Sequence, residues 1–234
     1  MSRQDQVNHS RHVVTLFDSE ASRADAIARF VLEGLAKNEP VAVLATGTHW
    51  EAVVRAAGEG AALISWGLNE GTLAFLDAEV LLYDISRGGV PDRALFGRAI
   101  GQLQRSLPPG RVRIYGEAVD LLAARGDLDA ALRLEQLWNE LLDREPITLL
   151  CGYDATVFAP DRAAARLRSV CECHSETRMS SDDTLGVWLL TQAAVDVVNR
   201  TEHRAPSTKH LAPSTEHRAP STEHQAPALD LDVT

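Results

Sequence analysis

The chain has 234 residues, of which 45% are hydrophobic and 24% charged, enough for one ordinary globular domain plus extra material. Its formal net charge of −10 argues against direct nucleic-acid contact, because a nucleic-acid surface needs a basic patch to collect phosphates. No apolar run approaches the roughly 18 residues of a membrane span, the first ten residues carry no secretory h-region, and the odd count of three cysteines (Cys151, Cys171, Cys173) suggests reduced thiols; a cytoplasmic, non-membrane protein is expected.

His12 to Phe17 is a short apolar run and reads as a strand. Ser22-Arg-Ala-Asp25 then fits a capping box, in which the serine oxygen accepts from a backbone amide and the acid reaches back. Ile27, Phe30, Val31, Gly34 and Leu35 line one helical face, and Asn38-Glu39-Pro40 ends that helix. Val41 to Ala45 is wholly apolar, as expected for a strand in a parallel sheet covered on both faces. Thr48-His-Trp-Glu51 is a second capping box, opening a helix to Ala57. Leu63 to Trp66 and Leu73 to Leu76 are further strand candidates. Asp77-Ala-Glu79 starts a helix, or Val80 to Tyr83 prolongs a strand. Gly88 to Asp92 is a turn. A helix over 93–106 follows, and Pro108-Pro109-Gly110 breaks it.

Arg111 to Tyr115 is a strand, Val119 to Arg125 a helix, and Asp127 caps a helix reaching Arg144. Ile147 to Gly152 is a strand, and Arg162 to Cys171 is helical. Alternating βα units predict a three-layer α/β domain over 10–175, with five or six parallel strands. One further amphipathic helix fits 176–199, carrying Leu185, Val187, Trp188, Leu189 and Val195, and a homodimer through it is a hypothesis. Residues 200–234 are a seven-residue Pro/Ser/Thr/His repeat with proline at 206, 213, 220 and 227. The repeat lacks the apolar positions of a coiled-coil seam and is read as disordered.

Several places carry chemistry. Thr46-Gly47-Thr48 sits between a strand and a helix, where free amides can hold an anion. However, the second glycine and the lysine of a P-loop are missing. Val80-Leu-Leu-Tyr-Asp84 only superficially resembles a Walker B strand. Glu117 follows a strand directly, and such a residue takes a ligand's donor or a metal, caps the next helix, or pairs with Arg113. Trp138 lies on an apolar stripe with Leu134, Leu137 and Leu141, whereas Glu135 flanks it and points either to a pocket or to water. Tyr153 and Asp154 close a strand and are suited to line a pocket. Cys151 reads as a small buried apolar residue; a Cys/His nucleophile would need His12, His49 or His174 within reach. Cys171-Glu-Cys173-His174 lacks the spacing and second pair of a zinc knuckle, although Cys151 could join it in space.

The chain resembles the MEDS domain, a sensory module named for methanogens, methylotrophs and the repressor DcmR. The likeness runs from His12-Val-Val-Thr-Leu-Phe-Asp18 through Leu76-Asp-Ala-Glu79, Gly89-Val-Pro-Asp92 and Tyr115-Gly-Glu117. It continues with Leu132-Arg-Leu-Glu135, Leu137-Trp-Asn-Glu140 and Leu149-Leu-Cys-Gly-Tyr-Asp154, and ends at Cys173-His-Ser-Glu176. The resemblance implies a RecA/KaiC-like core without ATPase motifs, fused in relatives to histidine-kinase, anti-sigma-type or DNA-binding modules. The residues matching its motifs are Glu117, Glu135, Trp138, Tyr153 and His174.

The expected function is therefore a non-enzymatic small-ligand sensor acting on a signalling partner in trans. Its ligand-binding candidates are Thr46, Gly47, Thr48, Glu117, Glu135, Tyr153 and Asp154, with no catalytic residue, cofactor or metal. A KaiC-like nucleotide-binding module with little or no hydrolysis, and a ligand-free scaffold, are the alternatives.

Overall fold

The computed structural model describes residues 10–158 and 163–179. Six strands, β1 (Arg11–Phe17), β2 (Val41–Ala45), β3 (Leu73–Asp77), β6 (Val112–Gly116), β7 (Ile147–Asp154) and β8 (Glu176–Met179), form one sheet in the order β3-β2-β6-β7-β1-β8. Every pairing in it is parallel. A small antiparallel hairpin, β4 (Ser86–Arg87) with β5 (Val90–Pro91), stands apart.

Parallel strands need crossovers, and helices supply them on both faces. Three helices, α1 (Glu20–Ala36), α2 (Gly47–Ala56) and α3 (Ala61–Asn69), lie on the face lined by Val13, Phe17, Val43 and Tyr115. The opposite face carries α4 (Ala78–Ile85), α5 (Arg93–Ser106), α6 (Ala118–Ala124), α7 (Leu128–Leu142) and α8 (Ala163–Glu172) over Val14, Leu44, Ile114 and Leu149. The expected three-layer parallel α/β architecture, with a sheet of six strands, is what the chain builds.

Most predicted elements are present, but several starts and one identity differ. The capping residue of α1 is Ser19, whose side chain accepts from the Ser22 amide, so Ser22 lies inside the first turn. Likewise Thr46, not Thr48, caps α2 and accepts from the His49 amide. Both predicted boxes start a little late, because a serine or threonine just upstream reaches the same free amides. Leu63 to Trp66, expected as a strand, belongs to α3, which buries Ile64 and Gly67 and leaves Trp66 half exposed. One-sided burial is the helical solution to a short apolar run, and periodicity alone does not separate the two.

Asp77 caps α4 through the Glu79 and Val80 amides, so the Walker-B-like run 80–84 is helix and Tyr83 faces solvent. The sheet also continues past 175: Glu176–Met179 is its edge strand, paired with β1. The rest of the segment read as a helix, 180–199, and the repeat tail, 200–234, lie outside the described residues.

The strand order sets the position of the site. From β2 the chain proceeds to β3 through α2 and α3 on one face; from β6 it proceeds to β7 through α6 and α7 on the other. Adjacent strands whose connections depart in opposite directions leave a crevice at their C-terminal ends. Residues 46 and 117 occupy the crevice between β2 and β6.

Candidate functional site

The crevice is filled by charge. The Glu117 side chain is fully buried and caps no helix. One of its oxygens, Oε1, accepts from the Thr46 backbone amide at 2.5 Å, and both lie 2.9 Å from His49 Nδ1. The Tyr115 hydroxyl donates to Oε2 at 3.3 Å. Arg113, which the sequence offered as a partner for Glu117, instead binds Glu39 and Glu33 on the α1 side of the sheet.

Arg23 on α1 is buried among carboxylates. Its Nη1 donates to Asp120 Oδ2 at 2.9 Å and lies 3.9 Å from Glu117 Oε2, while Nη2 is 3.7 Å from Asp154 Oδ2. Its Nε is buried without a hydrogen-bond partner. Asp120 also accepts the Asp154 amide at 2.9 Å, which ties α6 to the end of β7. Burial pushes the Asp120 carboxyl up, and Arg23 offsets only part of that. Burial, with Glu117 beside it, likewise raises the Tyr115 phenol. For His49, the hydrogen bond to Glu117 is the main cause of a raised value, outweighing partial burial. The other ring nitrogen, Nε2, stands 3.0 Å from Glu20 Oε2.

Of the predicted ligand-binding residues, Thr46 and Glu117 meet here and Asp154 joins them through Arg23. Gly47 and Thr48 are exposed in the first turn of α2. The Thr46 amide at this strand-to-helix turn is taken by the Glu117 carboxylate, an internal anion beside the N-terminus of α2. Arg23, His49 and Asp120 are not among the predicted site residues. Arg23 sits at helical spacing from Ile27 and Val31, and a cation on an apolar stripe is the available signal.

Glu135 and Tyr153 are brought together elsewhere, on the opposite face of the sheet. The Tyr153 hydroxyl donates to Glu135 Oε1 at 2.8 Å. Glu135 is fully buried rather than solvated, and it faces His12 Nε2 at 3.1 Å, Cys151 Sγ at 3.4 Å and His174 Nε2 at 3.4 Å. Burial alone would raise the Glu135 carboxyl, but His174 and then His12, which attract it only when their rings carry a proton on Nε2, outweigh it and hold it well below the usual carboxylate range. The same burial, reinforced by Glu135, pushes the Cys151 thiol and the Tyr153 phenol well up. Cys173 turns its thiol to the Ser169 carbonyl, and burial raises it to about 11. Trp138 is core, as its stripe implied, edge-on to Phe96 with ring centres 4.8 Å apart.

The family model of MEDS, MEthanogen/methylotroph, DcmR Sensory domain, matches residues 11–175, and the chain belongs to this family. It is thus a member of a sensory-domain family. A search of the curated proteins finds no match.

Proposed function

We propose that the chain is a non-enzymatic sensor that takes a small uncharged or cationic ligand at the β2/β6 crevice and reports its occupancy to a signalling partner in trans. The observation that carries this reading is the closed contact of Glu117 with Thr46 and His49 at the switch point of the sheet. A ligand that donates to Glu117 competes with those internal donors. Binding then favours a second arrangement of α2 against β6, and only such a difference in affinity between two states can transmit a signal.

The charge of the crevice narrows the ligand class. Glu20, Glu117, Asp120 and Asp154 face Arg23 and His49. That excess of carboxylates disfavours phosphate-bearing ligands, and the blocked Thr46 amide weighs further against the nucleotide-binding alternative. The reader of the signal is a histidine kinase, an anti-sigma-type protein or a transcription regulator, by likeness to the arrangement of relatives. The proposed site of action is the cytoplasm, and no helix among the described residues is long and apolar enough to cross a membrane.

Thermal melts of the full chain against a panel of small alcohols, aldehydes and amines, with ATP and magnesium as a separate arm, test the proposal. Ligand binding to the native state raises the melting temperature, by about 2.7 kcal/mol of stabilisation at a hundredfold excess over Kd. The expected result is a shift with a panel compound that disappears in Glu117→Gln. A shift with ATP alone would establish the nucleotide reading instead.

A further inference from the structure

The second cluster presents four donor atoms to one point. They are His12 Nε2, His174 Nε2, a Glu135 carboxylate oxygen and Cys151 Sγ, all within 4.8 Å of one another. They come from four places in the chain: β1, the turn before β8, α7 and β7. His12 Nε2 is 3.3 Å from Cys151 Sγ; Glu135 Oε2 is 3.1 Å from His12 Nε2 and 3.4 Å from Cys151 Sγ, and its other oxygen, Oε1, is 3.4 Å from His174 Nε2. Donors held about 2.0–2.3 Å from a tetrahedral ion stand about 3.3–3.7 Å apart. All four side chains are buried.

Hydrogen bonds behind the rings fix which nitrogen carries the proton. The Val170 carbonyl lies 2.7 Å from His174 Nδ1 and can only accept, so Nδ1 is the protonated nitrogen. Asn139 donates its Nδ2 to the Cys173 carbonyl at 2.9 Å, which turns its Oδ1 toward His12 Nδ1 at 2.8 Å. Neutral rings in these tautomers aim two bare Nε2 lone pairs at a carboxylate, acceptor against acceptor. His174 Nε2 accordingly makes no hydrogen bond although it is buried 3.4 Å from Glu135 Oε1. The Cys151 thiol proton satisfies at most one of these contacts. Protonating one ring would pair a single imidazolium with Glu135, and protonating both would place two imidazoliums with centres 4.0 Å apart around one carboxylate.

We propose that His12, Glu135, Cys151 and His174 form a closed, four-coordinate site for one zinc-class divalent cation. Two imidazoles, a thiolate and a carboxylate match zinc in softness and number, whereas magnesium and calcium demand six or more oxygens. Binding releases the Cys151 thiol proton to solvent, since a coordinated thiol is deprotonated outright. The ion's two positive charges then meet one thiolate and one carboxylate, so the buried site is neutral. Asn139 and the Val170 carbonyl are the outer contacts that orient the rings. With four protein ligands the site leaves no open position for substrate, and its role is to fasten the turn before β8 to the core.

The test is the cobalt spectrum of the full chain, refolded with cobalt(II), together with the zinc stoichiometry. The tail histidines His203, His210, His217 and His224 are a competing source of affinity, so thiolate ligation is the decisive readout. The expected result is one ion per chain with tetrahedral visible bands and a thiolate-to-cobalt charge-transfer band. That band persists when Cys171→Ser and Cys173→Ser leave Cys151 as the sole thiol, persists when the four tail histidines are changed to Gln, and is lost in Cys151→Ser. Asn139→Ala keeps the band but weakens affinity about 10–100-fold. No charge-transfer band in the refolded chain, its loss in the Cys171/Cys173 variant, its survival in Cys151→Ser, or binding that vanishes with the tail histidines would each overturn the proposal.

Discussion

At the scale of single residues, His49 is the group whose titration reports on the crevice. Its hydrogen bond to Glu117 raises its value in the folded chain above that of a free histidine. The stabilisation from this pair is therefore fully present below the unfolded value, near 6.5, and is lost as pH rises through the higher folded value. Urea midpoints of the full chain should fall over that window, and His49→Gln should flatten the profile there. An unchanged slope in the variant would assign the dependence to another group. Glu117 and Glu135 are legible in the sequence as interesting acids because each sits where a strand or an apolar stripe gives it a direction. Their partners are not, since Arg23, His49 and His12 are distant in sequence and meet them only once the sheet is assembled.

Among elements, close packing of α1 on β2 depends on one small residue. A Cβ at Gly34 would stand 2.6 Å from Val41 Cγ2 and 2.8 Å from Arg113 Cδ. Gly34→Ala gains about 1 kcal/mol of helix propensity, but pushing a methyl into a filled core costs about 1–3 kcal/mol. Crowding by β-branched Val41, which has little freedom to turn aside, decides the sign. The variant should unfold at lower urea than the wild-type chain, and a higher midpoint would show that α1 shifts freely over the sheet. The helices and strands are visible in the sequence through their periods, and Val41 to Ala45 is unmistakable because a strand buried on both faces has no polar positions. Leu63 to Trp66 is not, because four residues are too short for one period to prevail. The caps are displaced because Ser19 and Ser22, like Thr46 and Thr48, offer the same oxygen near the same turn.

For the whole molecule, the sheet order is beyond reach of the sequence, and with it the separation of the predicted site residues into two clusters on opposite faces. Alternating βα units specify a parallel sheet but not that β1 enters between β7 and β8. That placement carries the sheet past residue 175. Ser175 exchanges hydrogen bonds with the His12 backbone, and Val13 to Leu16 pair with Glu176 to Met179. Ending the chain at 175 uncovers one side of β1 and leaves its amides and carbonyls unpaired at a sheet edge. Residues 1–179 should melt in one cooperative transition. Residues 1–175 should melt about 4–8 °C lower, for a loss of about 2 kcal/mol, and aggregate sooner. Equal melting temperatures would place the end of the folding unit before β8.

The parallel pairing of β1 with β8 also has a mechanical meaning. Among the described residues, Arg11 opens the first strand of the sheet and Met179 closes the last, on neighbouring strands that run in the same direction. Tension applied between those two points pulls the strands past each other lengthwise. The rungs between them then share the load, whereas in a peeled hairpin they would break in succession. A load applied at Met179 is therefore carried by the whole β1–β8 ladder at once, although β8 lies at the edge of the sheet.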